Sequence, residues 1–307
     1  MLKFTIYRLI TALPTLFLLV LLTFFLLRLA PGGPFDSQVA WPPEMQAHLN
    51  ARYGLDQPLL FQFLQWFRDL LHGDLKESFQ YLGRPVIQII SELLPVSLTL
   101  GFFSIALSIT LGILMGGLSA WDSKAWLKSL LSFLIAGSLS IPPFLTASLL
   151  ILVFALQLGW FPPALWEEPA SVVLPVLTLA IRPIAMIARL TQTSLNEALS
   201  SDYIRTARGK GLSNRIVIFK HALKNSLIPV LTLLGPITAQ LLAGSFLVET
   251  LFQIPGLGKQ FVQAILGRDY PLVMGITLVY GVLLLLSHLV VDLCYAWVDP
   301  RIRPESN

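Results

Sequence analysis

Residues Val96–Ala120 read VSLTLGFFSIALSITLGILMGGLSA, without one Asp, Glu, Lys or Arg. A bilayer core of about 30 Å takes roughly 20 apolar residues of helix, and this run exceeds that. The rest of the chain agrees with it: 55% of residues are hydrophobic and 12% charged, and the mean hydropathy is +0.74. Soluble domains carry about a quarter charged residues, so too few remain here to coat a water-facing surface. Five more segments meet the length test: Leu9–Ala30, Ser129–Leu158, Ser171–Leu190, Ser226–Val248 and Pro271–Val298. The pattern predicts an all-α integral membrane protein with six spans, forming a single membrane domain over residues 1–307. A cleaved signal peptide is the alternative for the first span, which follows Lys3 and Arg8. Its apolar run from Leu9 to Leu27 outruns the roughly 7–15 residues of a signal core, so the span is expected to be retained.

Charge sets the orientation. Thirteen Lys and Arg fall on one set of faces, among them Lys124, Lys128, Arg189, Arg205, Arg208, Lys210 and Lys224. Six fall on the other, and Arg28 and Arg182 lie inside spans. Positive charge near short loops favours the cytoplasm, so both termini are expected inside. Acids run the other way: Asp56, Asp69, Glu92, Glu249, Asp269 and six more fall outside.

Two connecting regions stand out. The outer segment, about residues 31–95, contains Leu59, Phe63, Trp66, Phe67 and Leu70 near one helical face. This short amphipathic helix either lies flat in the outer interface or caps the spans. The inner segment, about residues 191–225, is the longest inner loop and the most basic.

Several chemistries are missing. Gly209-Lys210-Gly211 and Gly258-Lys259-Gln260 fail the phosphate-loop pattern, so ATP binding by this chain is not expected. His48, His72, His221 and His288 are scattered without metal-ligand spacing. Ser104, Ser108, Ser140 and Ser287 have no catalytic partner in sight and read as helix–helix hydrogen-bonding groups. Cys294 reads as a packing residue. Arg28 sits near the outer end of its span and is expected to snorkel outward. Arg182 either faces a bundle interior or pathway, or reaches the inner headgroups.

Within the inner loop, Asp202 can cap a short helix and Gly211 can end it in the left-handed conformation. Tyr203, Ala207 and the edge of Ile204 form its apolar face, with Arg205, Arg208 and Lys210 turned elsewhere. Two turns are marginal alone in water. Such an element gains a purpose by docking into a groove on another protein; the alternative is a basic loop resting on anionic lipid.

The residues themselves decide between those readings. Glu197-Ala198, Asp202-Tyr203-Ile204-Arg205-Thr206-Ala207-Arg208, Lys210-Gly211-Leu212 and His221-Ala222-Leu223-Lys224-Asn225 with Ile228-Pro229 resemble the cytoplasmic loop of dipeptide/oligopeptide permeases. These are membrane subunits of bacterial ATP-binding-cassette importers. The interval from Gly211 to Pro229, 18 positions, is longer than in importers generally, as is usual for the peptide branch. The resemblance covers nearly the whole chain. Arg28-Leu29-Ala30-Pro31-Gly32-Gly33-Pro34, Tyr53-Gly54-Leu55-Asp56-Gln57-Pro58, His72-Gly73-Asp74-Leu75, Pro255-Gly256-Leu257-Gly258, Arg268-Asp269-Tyr270-Pro271 and Val298-Asp299-Pro300-Arg301-Ile302-Arg303 carry it. The short loop Gly159–Ala170 looks more like the first oligopeptide permease subunit than the dipeptide one.

The resemblance implies a type I importer permease in the bacterial inner membrane and no catalysis by this chain. Expected partners are a second permease, two cytoplasmic ATPases that hold ATP and Mg2+, and an extracytoplasmic peptide-binding protein; nucleic acid is not among them. Glu197, Asp202–Arg208, Lys210, Gly211 and Leu212 would couple to an ATPase. Glu249, Pro255, Gly256 and Asp269 are candidate contacts for the binding protein. A dipeptide, nickel chelate, glutathione or antimicrobial peptide stays open as cargo, and an ion-coupled carrier or channel is the reading from another class.

Overall fold

A computed structural model describes residues 2–35, 44, 50–51, 53–121 and 124–298. Most of 36–52 and the closing Asp299–Arg303 motif lie outside the described residues. Among the described residues the α-helices, in chain order, include α1 (Leu2–Leu29), α2 (Leu59–Leu71), α3 (Val86–Ala120), α4 (Ala125–Ser140), α5 (Pro143–Leu150), α6 (Val173–Ser200), α7 (Asp202–Gly209), α8 (Asn214–Ile216), α9 (Leu223–Leu242), α10 (Phe246–Leu251), α11 (Leu257–Leu266) and α12 (Tyr270–Val298). A π-helical stretch, Ile151–Gln157, prolongs α5, and another, Val217–Ala222, joins α8 to α9. Among the described residues the non-helical pairing is an isolated bridge between Glu77 and Pro85.

Among the described residues five helical segments are long and apolar enough to cross a membrane, and six if one bent pair counts as a span. That pair corrects the third span. Ser129–Leu158 is not one rod but two helices, Ala125–Ser140 and Pro143–Gln157, meeting at 111°. The cause is local. Pro142 and Pro143 lack N–H donors, and proline forces the residue before it toward extended backbone, as Ile141 shows with φ −84° and ψ 125°. Elsewhere the boundaries move: α6 runs on through Thr191–Ser200, so the loop expected from Thr191 opens only at Ser201. The fifth span breaks at Ala243–Ser245 before α10. Cys294 is exposed rather than packed.

The chain divides into two compact units, Met1–Ser97 with Pro255–Leu285, and Leu98–Ile254 with Leu286–Asn307. In the first, Val20 and Phe24 of α1 pack with Phe63 and Trp66 of α2 and with Met274. The Phe24 and Phe63 rings meet edge to face at 5.2 Å. The apolar stripe of α2 therefore caps the spans, while Leu60, Phe61 and Leu64 on its other side are exposed. Arg28, near the end of its span, is received by side chains of its own unit. Its Nε donates to Gln62 Oε1 at 2.8 Å and its guanidinium lies 3.5 Å above the Phe24 ring. Gln62 in turn donates to the carbonyls of Leu55 and Gln57.

Asp269 ties the same unit together. Its carboxylate accepts from the N–H of Leu272 at 3.2 Å, capping α12, and from the N–H of Phe79 at 3.1 Å. The Ser78 hydroxyl donates to it as well. Gly267 lies so close to Gln80 that an added Cβ would stand 1.7 Å from the Gln80 amide nitrogen.

In the second unit α3 presents small residues every fourth position. Ser104 and Ser108 of α3 lie 3.5 and 3.4 Å from the carbonyls of Val176 and Ala180 on α6, while the Ser108 hydroxyl donates within its own helix to the Ser104 carbonyl at 2.6 Å. Gly112 and Gly116 continue the row. A Cβ on Gly116 would lie 2.4 Å from the Ala188 carbonyl oxygen, and one on Gly112 would lie 2.7 Å from Ile187. Small residues let helix backbones close up where lipid supplies no hydrophobic drive between them. Gly117, one residue on, has nothing within 4 Å of its would-be Cβ.

Gly116→Ala is expected to force α3 from α6 and cost about 1–3 kcal/mol. Gly117→Ala is expected to be neutral. Thermal unfolding of the detergent-solubilised chain checks the pair, and equal effects would contradict the close approach. Asp269→Ala, which leaves buried N–H groups unpaired, is expected to cost about 3 kcal/mol in the same measurement, with Asp269→Asn costing less.

Candidate functional site

The short helix α7 begins where α6 stops. Ser201 takes extended backbone, φ −75° and ψ 156°, and breaks the long helix. Ser201, not Asp202, is thus the cap position, and its hydroxyl donates back to the Ala198 carbonyl. Asp202 is the first helical residue, where its charge complements the helix dipole, and Arg208 does the same in the last turn. Asp202 Oδ1 stands 3.4 Å from Arg205 Nη1, but both side chains are largely solvated and the pair contributes little. Lys210 closes the helix with its N–H on the Thr206 carbonyl at 3.1 Å. Gly211 follows at φ +74°, the left-handed turn expected of it. The helix therefore runs Asp202–Gly209, two residues short of the expected end.

Its buried face also differs from the expected one. Ile204 is fully buried and Ala207 nearly so, while Tyr203 is 42% exposed. Ile204 and Ala207, one turn apart, seat against Leu195 at the end of α6 and against Val217 and Ala222 of the π-helical stretch. Burying an Ile side chain is worth roughly 1.5–3 kcal/mol, so α7 is held far more firmly than two turns of free helix would be. Displacing α7 must displace the end of α6 and the start of α9.

The other named residues of this region point outward. Glu197, Asp202, Tyr203, Arg205, Thr206, Arg208, Lys210, Gly211 and Leu212 are all exposed, and Ile216 adds a further exposed apolar group. The result is a seated helix with a basic, partly aromatic outer surface. That surface can bind a protein groove; it holds no arrangement for covalent chemistry. Sequence reading missed Ser201 and the seat residues Leu195, Val217 and Ala222. The serine before an acidic first turn is a recognisable cap signal, whereas the seat is brought together only by folding.

The other candidates fare unevenly. Arg182 is exposed on α6, so the interior of this chain's own bundle does not receive it. Pro255 is exposed, but Glu249, Gly256 and Asp269 are buried. Asp269 spends its carboxylate on backbone donors and Ser78, and a buried acid presents no charge to a protein docking outside. The acid surplus counted on that side loses Glu249 and Asp269.

Ile204→Ala is expected to cost about 2–5 kcal/mol and to expose the adjacent α7 backbone to proteolysis. Limited proteolysis and unfolding of the purified chain check this; a native-like digestion pattern would contradict the seating.

Comparison with known proteins places the chain in a family. Residues 108–304 match the family described as binding-protein-dependent transport system inner membrane component, and residues 1–100 match its N-terminal companion. The chain is 43% identical over 306 residues to the oligopeptide transport system permease protein OppB of Haemophilus influenzae, covering 99% of this chain and 100% of the relative. It is 41% identical to the Salmonella typhimurium OppB, with the same coverage. The dipeptide transport system permease protein DppB of Lactococcus lactis is 42% identical over 303 residues, covering 99% of this chain and all of the relative. Among solved structures, a chain of an amino acid ABC transporter crystallised with histidines superposes with a TM-score of 0.53 at 20% identity. It covers 68% of this chain and 93% of that one, and bears on the fold alone. With its apolar spans and both parts of the family pattern in place, this chain belongs to the inner-membrane permease components of binding-protein-dependent ABC transport systems.

Proposed function

We propose that this chain is one of two permease subunits in an ATP-driven importer of oligopeptides, with α7 as the element through which a cytoplasmic ATPase moves the spans. The observation that carries the cargo class is the near end-to-end match to relatives named for oligopeptide and dipeptide transport. Both termini and α7 lie on the cytoplasmic side, a placement supported by the Lys and Arg count. An extracytoplasmic binding protein delivers the peptide. Two ATPase subunits hold ATP and Mg2+, and this chain hydrolyses nothing.

The coupling follows from how α7 is held. Tyr203, Arg205, Thr206, Arg208, Lys210 and Leu212 offer the docking face, while Ile204 and Ala207 anchor the same helix to α6 and the π-helical stretch. A helix laid in a groove on the ATPase moves with that ATPase. Nucleotide shifts the equilibrium between inward- and outward-facing spans only by binding one arrangement of the ATPase pair better than the other. Glu197, exposed near the end of α6, borders the same docking face.

Arg205→Glu with Arg208→Glu is expected to reduce peptide-stimulated ATP hydrolysis and peptide uptake by at least about tenfold, on the scale of lost interfacial charge pairs. Membrane insertion is expected to be unchanged and the loss of stability to stay at about 1 kcal/mol, the scale of a charge at a helix end, because both side chains are exposed. Vesicles holding the assembled importer check both; undiminished uptake by the double variant would end the coupling assignment.

A further inference from the structure

A cavity of about 290 Å³ opens beside α7, lined by Ala120, Trp121, Lys128, Leu199, Arg208, Asn214 and Ile218. Five elements meet there: the ends of α3 and α6, the first turn of α4, α7, and the stretch from α8 into the π-helical segment. Two of its walls are cationic, Lys128 from α4 and Arg208 from α7, and none of the lining residues is acidic. Among the described residues no ion pair engages either cation; Asp122 and Ser123 lie outside those residues. Asn214 adds an amide, and Ala120, Leu199 and Ile218 supply an apolar floor.

The depth of the cavity identifies what fills it. Ala120 ends one spanning helix, and Ile218 lies at the start of another, the segment Val217–Leu251. Each of those segments is 35 residues and longer than the bilayer is thick, so a pocket at their ends lies at the headgroups or just beyond them. Trp121 supports this, since an indole at a span's end marks the membrane interface, and its ring meets that of Phe219 edge to face at 5.8 Å. Phe219 itself is 59% exposed. Basic pockets between spans at this depth match the phosphate of an acidic lipid.

We propose that this cavity binds the phosphate of an anionic phospholipid headgroup, clamped between Lys128 and Arg208. Occupancy places one negative charge between two cationic lining residues and offsets half of their charge. It also ties the first turn of α4 to α7, so the bound lipid restrains the helix that carries the docking surface. Arg208 then has two anionic claimants, the lipid and the docked partner. Assigning the lipid to the cytoplasmic leaflet rests on the orientation proposed above; occupancy of the cavity does not.

The test uses the full chain in mixed micelles of neutral detergent and phosphatidylglycerol, with retained lipid counted by native mass spectrometry. Lys128→Gln is expected to lower phosphatidylglycerol retention about fivefold, the effect of one cation at a membrane surface. Lys124→Gln removes the same charge from an equally exposed position that does not line the cavity and is expected to change little. Equal losses from the two variants would reduce the effect to general surface charge and overturn the site, as would no loss from Lys128→Gln. Phosphatidylcholine in place of phosphatidylglycerol is expected to be retained equally by all three proteins. Displacement of phosphatidylglycerol by millimolar inorganic phosphate would overturn the lipid assignment in favour of a soluble anion. Because retention is read without ATPases, its failure is separable from failure of the coupling role, which the Arg205 and Arg208 reversals address.

Discussion

The close approach of α3 to α6 is the constraint on which the second unit depends. Two apolar helices gain nothing from each other in lipid that lipid does not already offer, so contact must come from dispersion and hydrogen bonds at short range. Ser104, Ser108, Gly112 and Gly116 supply it by having almost no side chain to keep the backbones apart. The far end of α6 is thereby fixed, and on that fixed end Leu195 receives Ile204. Rigidity established deep in the apolar region is delivered to a short helix that could not stand by itself.

Much of this was readable from residues alone, and the failures have physical causes. Spans declare themselves because twenty apolar residues have few other fates, and Gly211 declares its turn because few residues tolerate that backbone. The bend at Pro142-Pro143 was written in plain sight, but a hydropathy count registers composition and is blind to direction. The face of α7 was misjudged because eight residues leave the helical phase poorly defined; only the seat shows that Ile204 rather than Tyr203 turns inward. Glu249 and Asp269 count from sequence as acids available to a docking protein, and both are buried. A charge tally reports where an acid falls between spans, not whether it is solvated. The bond between Ser78 and Asp269 joins residues 191 positions apart, a distance no local pattern bridges.

The two arginines within spans show how differently one cost is met. A guanidinium at depth is expensive unless something receives it. Arg28 is received inside its own unit by the Phe24 ring and the Gln62 amide, which itself is fastened to the Leu55 and Gln57 carbonyls. Arg182 is left on the outside of α6. Among the described residues no hydrogen bond or ion pair engages it, and its exposed place on α6 leaves it open to lipid headgroups or to a neighbouring subunit.

The sequence discontinuity of the first unit has a consequence for how the protein is made. Its opening residues, through Ser97, leave the ribosome well before Pro255–Leu285 exist. Until then the Phe79 amide and the Ser78 hydroxyl lack the carboxylate that later binds them, and Phe63 and Trp66 lack Met274. Synthesis of more than half the polypeptide separates the two halves of that core. Biogenesis therefore has to shelter an unfinished amino-terminal body at the translocation machinery, and truncation before Asp269 would yield a chain that inserts yet never matures.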